Sequence, residues 1–216
     1  MRLDWIADNA AELAGLAVTH AGLAAPAVLA ATVIALPLGW AAHRAKRWRD
    51  VVVTAAGLVY AVPSLVLFIL MPLFLDTSII APANVVVALT AYGVALLVRT
   101  CADGFDSVDA TARTTAEALG FSPAQRVLQV ELPLAGPVIL GGVRVVSAST
   151  IALVSVGALI GVESLGTLFT EGFARSFPTE ILTGVIGTVV LALIFDAVLV
   201  AAGRVLMPWG AKAASK

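Results

Sequence analysis

Residues 99–135, RTCADGFDSVDATARTTAEALGFSPAQRVLQVELPLA, form a long polar stretch between two apolar ones. Its charged side chains are too costly to bury in lipid. Its Gly, Ser and Pro residues are placed as they are at the starts and ends of helices, and this placement is not typical of a flexible linker. The stretch therefore predicts two short helices outside the membrane, between two membrane-spanning segments.

The ends of these two helices are marked by local residue chemistry. The first is expected from about 107 to 119, ending at Gly120, because glycine adopts the left-handed conformation common after a helix. The second begins with Ser122 as N-cap, Pro123 at the first helical position and Gln125 at the third, a capping box. Leu132-Pro133 is expected to end this helix before the next span.

The composition of the whole chain excludes a soluble domain. Of its 216 residues, 60% are hydrophobic and 12% charged, and the mean hydropathy is +1.02. Soluble domains have about 45–50% apolar and about 25% charged residues. The formal charge of −1 gives no basic surface for nucleic acid. A single cysteine, Cys101, and two histidines exclude a disulfide framework and argue against a structural metal site.

Five uncharged or nearly uncharged stretches are long enough to cross a bilayer, which takes about 20 helical residues. These predicted spans are 13–42 (core 24–42), 51–75, 77–98, about 137–161 and 181–206. The start, MRLDWIADNAAELAG, lacks the apolar core of a cleaved signal peptide, and we expect an interfacial helix there. The fold class is therefore an all-α membrane protein with five transmembrane helices.

The distribution of Lys and Arg predicts the orientation, because loops rich in them stay in the cytoplasm. Ten of the thirteen fall in the loop 43–50, the segment 99–133 and the tail from 204 onward. Only Arg2 and Arg175 lie on the other side, and Arg144 lies within the fourth span. We therefore expect the N terminus outside and the C terminus in the cytoplasm. The predicted divisions are 1–20, external or interfacial; 21–208, transmembrane, with the cytoplasmic loop about 99–134; and 209–216, a cytoplasmic tail.

Two classes of transporter are disfavoured. A phosphate-binding loop needs a Lys after a Gly, and the three lysines here follow Ala or Ser, so the chain is not its own ATPase and is not expected to be an enzyme. A secondary transporter usually has ionisable groups at mid-membrane and repeated halves. Here Asp196 is the only acid well inside a span. We favour a packing or anchoring role for Asp196 and snorkelling of Arg144 to the cytoplasmic interface, with direct solute contacts as the alternative for both.

Hydroxyl groups in the otherwise aliphatic spans are candidates for lining a solute pathway. They could equally bond to backbone carbonyls and let helices approach. The candidates, with the proline beside two of them, are Tyr60, Pro63, Ser64, Ser147, Ser149, Thr150 and Ser155.

A family resemblance becomes specific in the polar stretch. Gly120 followed after nine residues by Val130-Glu131-Leu132-Pro133 resembles the second part of the EAA signature of bacterial ABC importer permeases. The segments VPSL (62–65), VILGGVR (138–144) and LIGVESLG (159–166) are similar to the osmoprotectant branch, whose members carry glycine betaine, carnitine or choline. The resemblance extends from about residue 16 to 208 and implies the type I importer permease, or MetI-like, fold.

This resemblance implies partners and a coupling site. The expected partners are ABC ATPase subunits, which bind ATP and Mg, a second or paralogous permease, an extracytoplasmic solute-binding protein and the cytoplasmic membrane; no cofactor is expected in this chain. The residues implied in ATPase coupling are Thr114, Ala116, Glu117, Gly120, Phe121, Ser122, Pro123, Gln125, Arg126, Leu132 and Pro133.

The chain departs from the signature at its first position. Thr114 stands where the family has Glu, and Glu117 follows about one helical turn later. This departure leaves the strength of ATPase coupling open and is compatible with a pair of unlike permeases. Two further functions remain as alternatives: a permease for another small solute such as methionine, and a stand-alone channel or structural protein whose polar loop folds back on the bundle.

Overall fold

A computed structural model describes residues 2–209, except for the side chain of Trp48. The described chain is a bundle of helices. Their bounds are α1 Leu3–Asp8, α2 Ala10–Arg44, α3 Lys46–Ala61, α4 Ser64–Leu75, α5 Pro82–Asp106, α6 Ala110–Ala118, α7 Pro123–Arg126, a π-helical segment Val127–Glu131, α8 Leu132–Val154, a 3-10 segment Ser155–Ile160, α9 Thr167–Ala174 and α10 Pro178–Leu206.

Among residues 2–209, four helices are long and apolar enough to span a membrane: α2, α5, the continuous helix Pro123–Ile160, and α10. The pair α3–α4 makes a fifth span if its two halves are counted together, and the helix direction bends by 100° between them. The predicted boundary between residues 20 and 21 falls inside α2. Of the predicted tail 209–216, all but Trp209 lies outside the described residues.

The predicted span over 51–75 consists of two helices, because the chain breaks at Val62-Pro63. Val62 has φ −67° and ψ 131°, which is extended rather than helical. Proline lacks a backbone N–H and pushes the residue before it out of the helical region. The hydroxyl of Tyr92 in α5 donates to the carbonyl of Val62. That bond satisfies a backbone group that the break leaves free within an apolar environment.

The centre of the bundle is formed by α2, α5 and α8, which pack closely through small residues. A Cβ on Gly39 in α2 would lie 2.3 Å from the Cβ of Cys101 in α5, so only glycine permits this approach. At the other end of α2, the buried imidazole of His20 lies 2.9 Å, Nε2 to oxygen, from the carbonyl of Ile151 in α8. The three helices therefore form one packed core on which the other elements rest.

The two ends of the bundle differ. At one end, here called the loop end, α2, α5 and α10 terminate and the continuous helix from Pro123 begins. The opposite end, here called the α9 end, holds α1, α9 and the start of α10. There Trp5 and Phe177 meet edge to face with ring centroids 5.4 Å apart, which joins α1 to the start of α10.

Candidate functional site

The polar segment at the loop end folds into two capped helices, as its sequence predicts. Residues 107–131 are here called the loop unit. Its first helix, α6, begins where the Asp109 carboxylate accepts the N–H of Thr111 at 3.0 Å. It ends with Gly120 at φ +82°, and the N–H of Phe121 donates to the carbonyl of Ala116. This arrangement is a Schellman motif, in which glycine avoids the strain that a side chain would bring.

The second helix of the loop unit starts with the predicted capping box. The backbone N–H of Ser122 donates to Gln125 Oε1 at 2.9 Å, and the backbone N–H of Gln125 donates to Ser122 Oγ at 3.3 Å. Pro123 occupies the first turn, where its missing N–H costs nothing. The helix start is therefore fixed by local sequence.

The expected stop at Leu132-Pro133 is wrong, because the helix continues through Pro133 into α8. The residues before it form a π-helical turn, in which the N–H of Leu132 donates to the carbonyl of Val127 five residues back. A proline inside an α-helix leaves one carbonyl unpaired and crowds the preceding turn, and a wider π turn provides room. As a result, the helix of the loop unit and the fourth span are one continuous rod, Pro123–Ile160.

A chain of ion pairs holds α6 against this rod. Arg126 donates through Nε to Glu131 Oε1 at 2.9 Å and also pairs with Glu117 on α6. Arg113 on α6 lies 3.9 Å, Nε to Oε1, from Glu131, and it donates to the carbonyl of Phe105 at the end of α5. The Glu131 side chain is only 3% exposed. Because these contacts join α5, α6 and the rod, the loop unit is tied to the core rather than loosely attached.

Glu131 and Arg113 were not among the residues inferred from the sequence to couple the ATPase. Glu131 stands directly before an apolar span, five residues after Arg126. This position suggests an ion pair, because a carboxylate can be buried there only when a cation such as Arg126 pairs with it. Arg113 comes from a different helix, and only the tertiary structure brings it near.

The departure from the signature at Thr114 is visible in the structure. Thr114 is exposed on α6, and its hydroxyl donates to the backbone carbonyls of Ala110 and Thr111 at 3.2 and 3.1 Å. Ala116 is buried, while Leu119 and Leu128 are 71% and 63% exposed. The loop unit therefore presents apolar side chains to its surroundings, and the Thr114 hydroxyl is bonded to the backbone of its own helix.

Further contacts fix the loop end to the rest of the bundle. The indole N–H of Trp209 donates to the carbonyl of Pro133 at 3.1 Å. His43 at the end of α2 lies 2.6 Å, Nδ1 to Oδ1, from Asp106 at the end of α5. Arg49 on α3 pairs with the same Asp106, Nε to Oδ2, at 3.3 Å. The helices that meet at this end are thus cross-linked by polar contacts.

The candidate pathway residues belong to two parts of the fold, the α3–α4 break and α8 with the segment after it. Tyr60 packs edge to face on Tyr92, with centroids 5.6 Å apart, beside the break where Pro63 and Ser64 also lie. The remaining four are on α8 or just after it. Ser147 and Thr150 are buried in the bundle, and Ser149 and Ser155 are half-buried. The hydroxyls of Ser147 and Ser155 are buried with no hydrogen-bond partner among the described residues.

Arg144 and Asp196 form an ion pair that the sequence did not reveal. Arg144 Nε donates to Asp196 Oδ1 at 2.5 Å, and its terminal nitrogen donates to Oδ2 at 2.8 Å. The two residues are 52 positions apart, on α8 and α10, so no local pattern joins them. The structure pairs Arg144 with Asp196 instead of directing it alone to the interface.

Comparison with known proteins supports the architecture. Over 96% of this chain and 98% of the relative, the sequence is 34% identical to the osmoprotectant import permease protein OsmW of Salmonella typhimurium. It is 28% identical to the choline transport system permease protein OpuBB of Bacillus subtilis over 96% of this chain and 94% of that protein. A chain of the MetNI methionine ABC transporter, solved in inward-facing conformations, superposes with a TM-score of 0.80 at 18% identity, covering 90% of this chain and 95% of that one.

These findings confirm the predicted all-α, MetI-like membrane fold and the resemblance to ABC importer permeases. The family model described as binding-protein-dependent transport system inner membrane component matches residues 27–209. That range includes the central helices, the loop unit and α10. The chain belongs to this family of inner membrane transport components.

Proposed function

We propose that this chain forms the membrane pathway of an ATP-driven importer for a compatible solute such as glycine betaine, choline or carnitine. The named relatives are an osmoprotectant permease and a choline permease, each matched over nearly its full length. The likeness to the methionine transporter is at 18% identity and supports the fold alone, so it does not favour methionine as the solute.

One observation carries the proposal that an outside motor drives this chain: the loop unit is a stiff projection continuous with a membrane span. Its helix starts at a capping box, runs through the π turn into α8 and is braced by Glu131 and Arg126. A frayed or hinged segment would absorb an applied displacement, whereas a braced rod passes it on.

The exposed tip of the loop unit provides a surface for a partner ATPase. Leu119 and Leu128 project apolar side chains there. Beside Leu119 a shallow groove of about 370 Å³ lies between α6 and the rod, lined by residues that include Ala112, Phe121 and Val130. We assign ATP and Mg binding to that ATPase. Its closure would push two loop units and tilt the rods, turning the solute cavity outward.

The proposed assembly has the loop end in the cytoplasm and the α9 end outside. The N terminus would then be external and the C terminus cytoplasmic, in agreement with the excess of Lys and Arg at the loop end. A solute-binding protein would dock at the α9 end. Five spans are too few to enclose a polar pathway alone, so a second copy or a paralogous permease would supply the facing wall.

Reconstitution tests this function. The permease, its ATPase and its binding protein are placed in proteoliposomes, and uptake of radiolabelled glycine betaine and choline is followed with ATP or with a non-hydrolysable analogue. We expect accumulation of at least one solute only with ATP. Equal accumulation under both conditions would instead support a stand-alone channel.

A further inference from the structure

The Arg144–Asp196 pair lies well inside the spans that carry it. Asp196 is ten residues before the end of α10, and Arg144 is twelve residues after the start of α8. At 1.5 Å per residue these positions are about 15 and about 18 Å from the loop end of each helix. The pair is therefore within the hydrocarbon thickness, which is about 30 Å.

The pair is nevertheless open on one side. The exposed fractions of the Arg144 and Asp196 side chains are 44% and 39%. On the exposed side of α8 the nearest helical neighbours of Arg144 are Gly141 and Ala148, which are small and exposed. A Cβ on Gly141 would meet nothing within 4 Å. The α8–α10 face, meaning the exposed surface around Arg144 and Asp196, therefore leaves room beside the two charges.

An open ion pair at this depth is not expected to face lipid. Charged side chains within spans are costly there and almost always face a bundle interior or a water-filled cavity. The rest of α10 is strongly apolar, and none of its most apolar window is buried in the isolated chain. An ion pair that only holds α8 against α10 would gain nothing from being exposed. A pair that contacts the solute must be exposed.

We propose that the Arg144–Asp196 pair lines the solute pathway and exchanges partners with a zwitterionic solute. The solute carboxylate replaces Asp196 on the guanidinium of Arg144, and the quaternary ammonium moves against the freed Asp196 carboxylate. A guanidinium binds a carboxylate through two parallel hydrogen bonds, which is the contact that Arg144 already makes. Because each charge keeps an opposite charge, the solute crosses without leaving a bare ion in the membrane. This inference rests on the proposed function and names the solute class that the pathway recognises.

Thiol accessibility tests the proposal without depending on transport. The complete transporter is placed in lipid nanodiscs on a Cys101→Ala background, so that the introduced cysteine is the one thiol of the permease. Leu193→Cys and Val198→Cys form a matched pair on α10, 63% and 61% exposed in the parent chain, and both leave the ion pair intact. With 3.6 residues per turn, position 193 lies about 60° from Asp196 around the helix and position 198 about 160°.

The reagents are a trimethylammonium-ethyl and a sulfonato-ethyl methanethiosulfonate, both soluble in water. We expect Leu193→Cys to react about tenfold faster than Val198→Cys with either reagent, because lipid excludes them. Equal rates at the two positions, or a faster reaction at 198, would overturn the proposal that the face of Asp196 lines the pathway.

Single replacements of the pair test the charge exchange. Arg144→Cys leaves Asp196 facing the thiol, so the cationic reagent should react faster there; Asp196→Cys should favour the anionic one. Saturating glycine betaine should slow Leu193→Cys labelling, while sorbitol at equal osmolarity should not. If glycine betaine protects Leu193→Cys no more than sorbitol does, the contact with solute is refuted, even when the labelling rates show that water reaches the α8–α10 face.

The two hypotheses fail separately. If the proteoliposomes take up solute with ATP but position 193 stays unreactive, the pathway assignment is wrong and the proposed function stands. If position 193 reacts and is protected while ATP drives no uptake, the assignment of the α8–α10 face to the solute pathway stands and the ATP-driven function fails.

Discussion

The loop unit and the α8–α10 face both contain Arg–carboxylate ion pairs, but the two pairs are placed differently. In the loop unit, Glu131 is 3% exposed and is shared by two arginines. On the α8–α10 face, Arg144 and Asp196 are about two-fifths exposed, and within the described part of the chain each is paired with the other alone. A buried, shared carboxylate fixes helices in one arrangement, whereas an open, single pair remains available for exchange. The comparison separates a region suited to transmitting force from one suited to meeting solute.

The largest expected effect of a single substitution is at the buried carboxylate. Glu131→Ala leaves Arg126 and Arg113 without their shared partner, and we expect the free energy of unfolding to fall by about 3 kcal/mol, the scale for breaking a buried ion pair. Thermal unfolding of the purified permease measures this. Asp196→Asn is the comparison variant and should lower the melting temperature by less. An equal or larger loss in Asp196→Asn would remove the distinction between the two pairs.

The next effect concerns the turn between α6 and the rod. Gly120 has φ +82°, and an added Cβ would meet nothing within 4 Å, so Gly120→Ala adds backbone strain alone. We expect a loss of about 1 kcal/mol and weaker retention of the ATPase during co-purification. The control is Gly141→Ala on the α8–α10 face, where an added Cβ also meets open space. Unchanged ATPase retention in Gly120→Ala would show that this turn does not position the docking surface.

A similar loss is expected at the start of the rod. Ser122→Ala removes one of the two capping-box hydrogen bonds, which costs about 1 kcal/mol of helix stability. Because the cap lies at the tip, the first turn should fray and ATP-driven uptake should fall while ATP hydrolysis continues. The ratio of solute transported to ATP hydrolysed measures this. Ser122→Asp, which keeps a capping oxygen, should restore the ratio; a low ratio in both variants would argue against the cap.

The smallest effect is expected at the exposed end of the ion-pair chain. The Glu117 side chain is 57% exposed, so its bond to Arg126 is screened by water. Glu117→Ala should change the free energy of unfolding by about 0.5 kcal/mol or less. Urea denaturation of the detergent-solubilised permease, compared with Glu131→Ala, gives the contrast. A loss as large as that of Glu131→Ala would mean that α6 is held chiefly by its outer contact.

Much of this architecture is encoded locally and could be predicted from the sequence. The capping box at Ser122, the stop at Gly120 and the apolar spans depend on residues within a few positions of one another. The break at Pro63 was not predicted, because hydropathy identifies apolar stretches and contains no information on backbone geometry. The passage through Pro133 was missed because a π turn accommodates it.

The parts of the site that could not be predicted depend on distant residues. Arg144 meets Asp196 across 52 positions, and Arg113 reaches Glu131 from another helix. Span prediction places each charge at a depth but gives no rotation of one helix against another. The same holds for Ser147 and Thr150, because the sequence pattern does not distinguish a hydroxyl buried in the core from one that lines a pathway.

The continuity of the rod is the central claim, and the distance between two spin labels on it is the most direct test. Labels at Leu128→Cys, within the π turn of the loop unit, and Ala148→Cys, in the fourth span, are about 30 Å apart along a straight helix and lie on either side of Pro133. Double electron–electron resonance is recorded in the complete transporter on a Cys101→Ala background, without nucleotide and with ATP. A rigid rod predicts one narrow distance distribution that is the same in both states. A second population, or a shift on adding ATP, would show that the helix bends at Pro133 and would contradict the account.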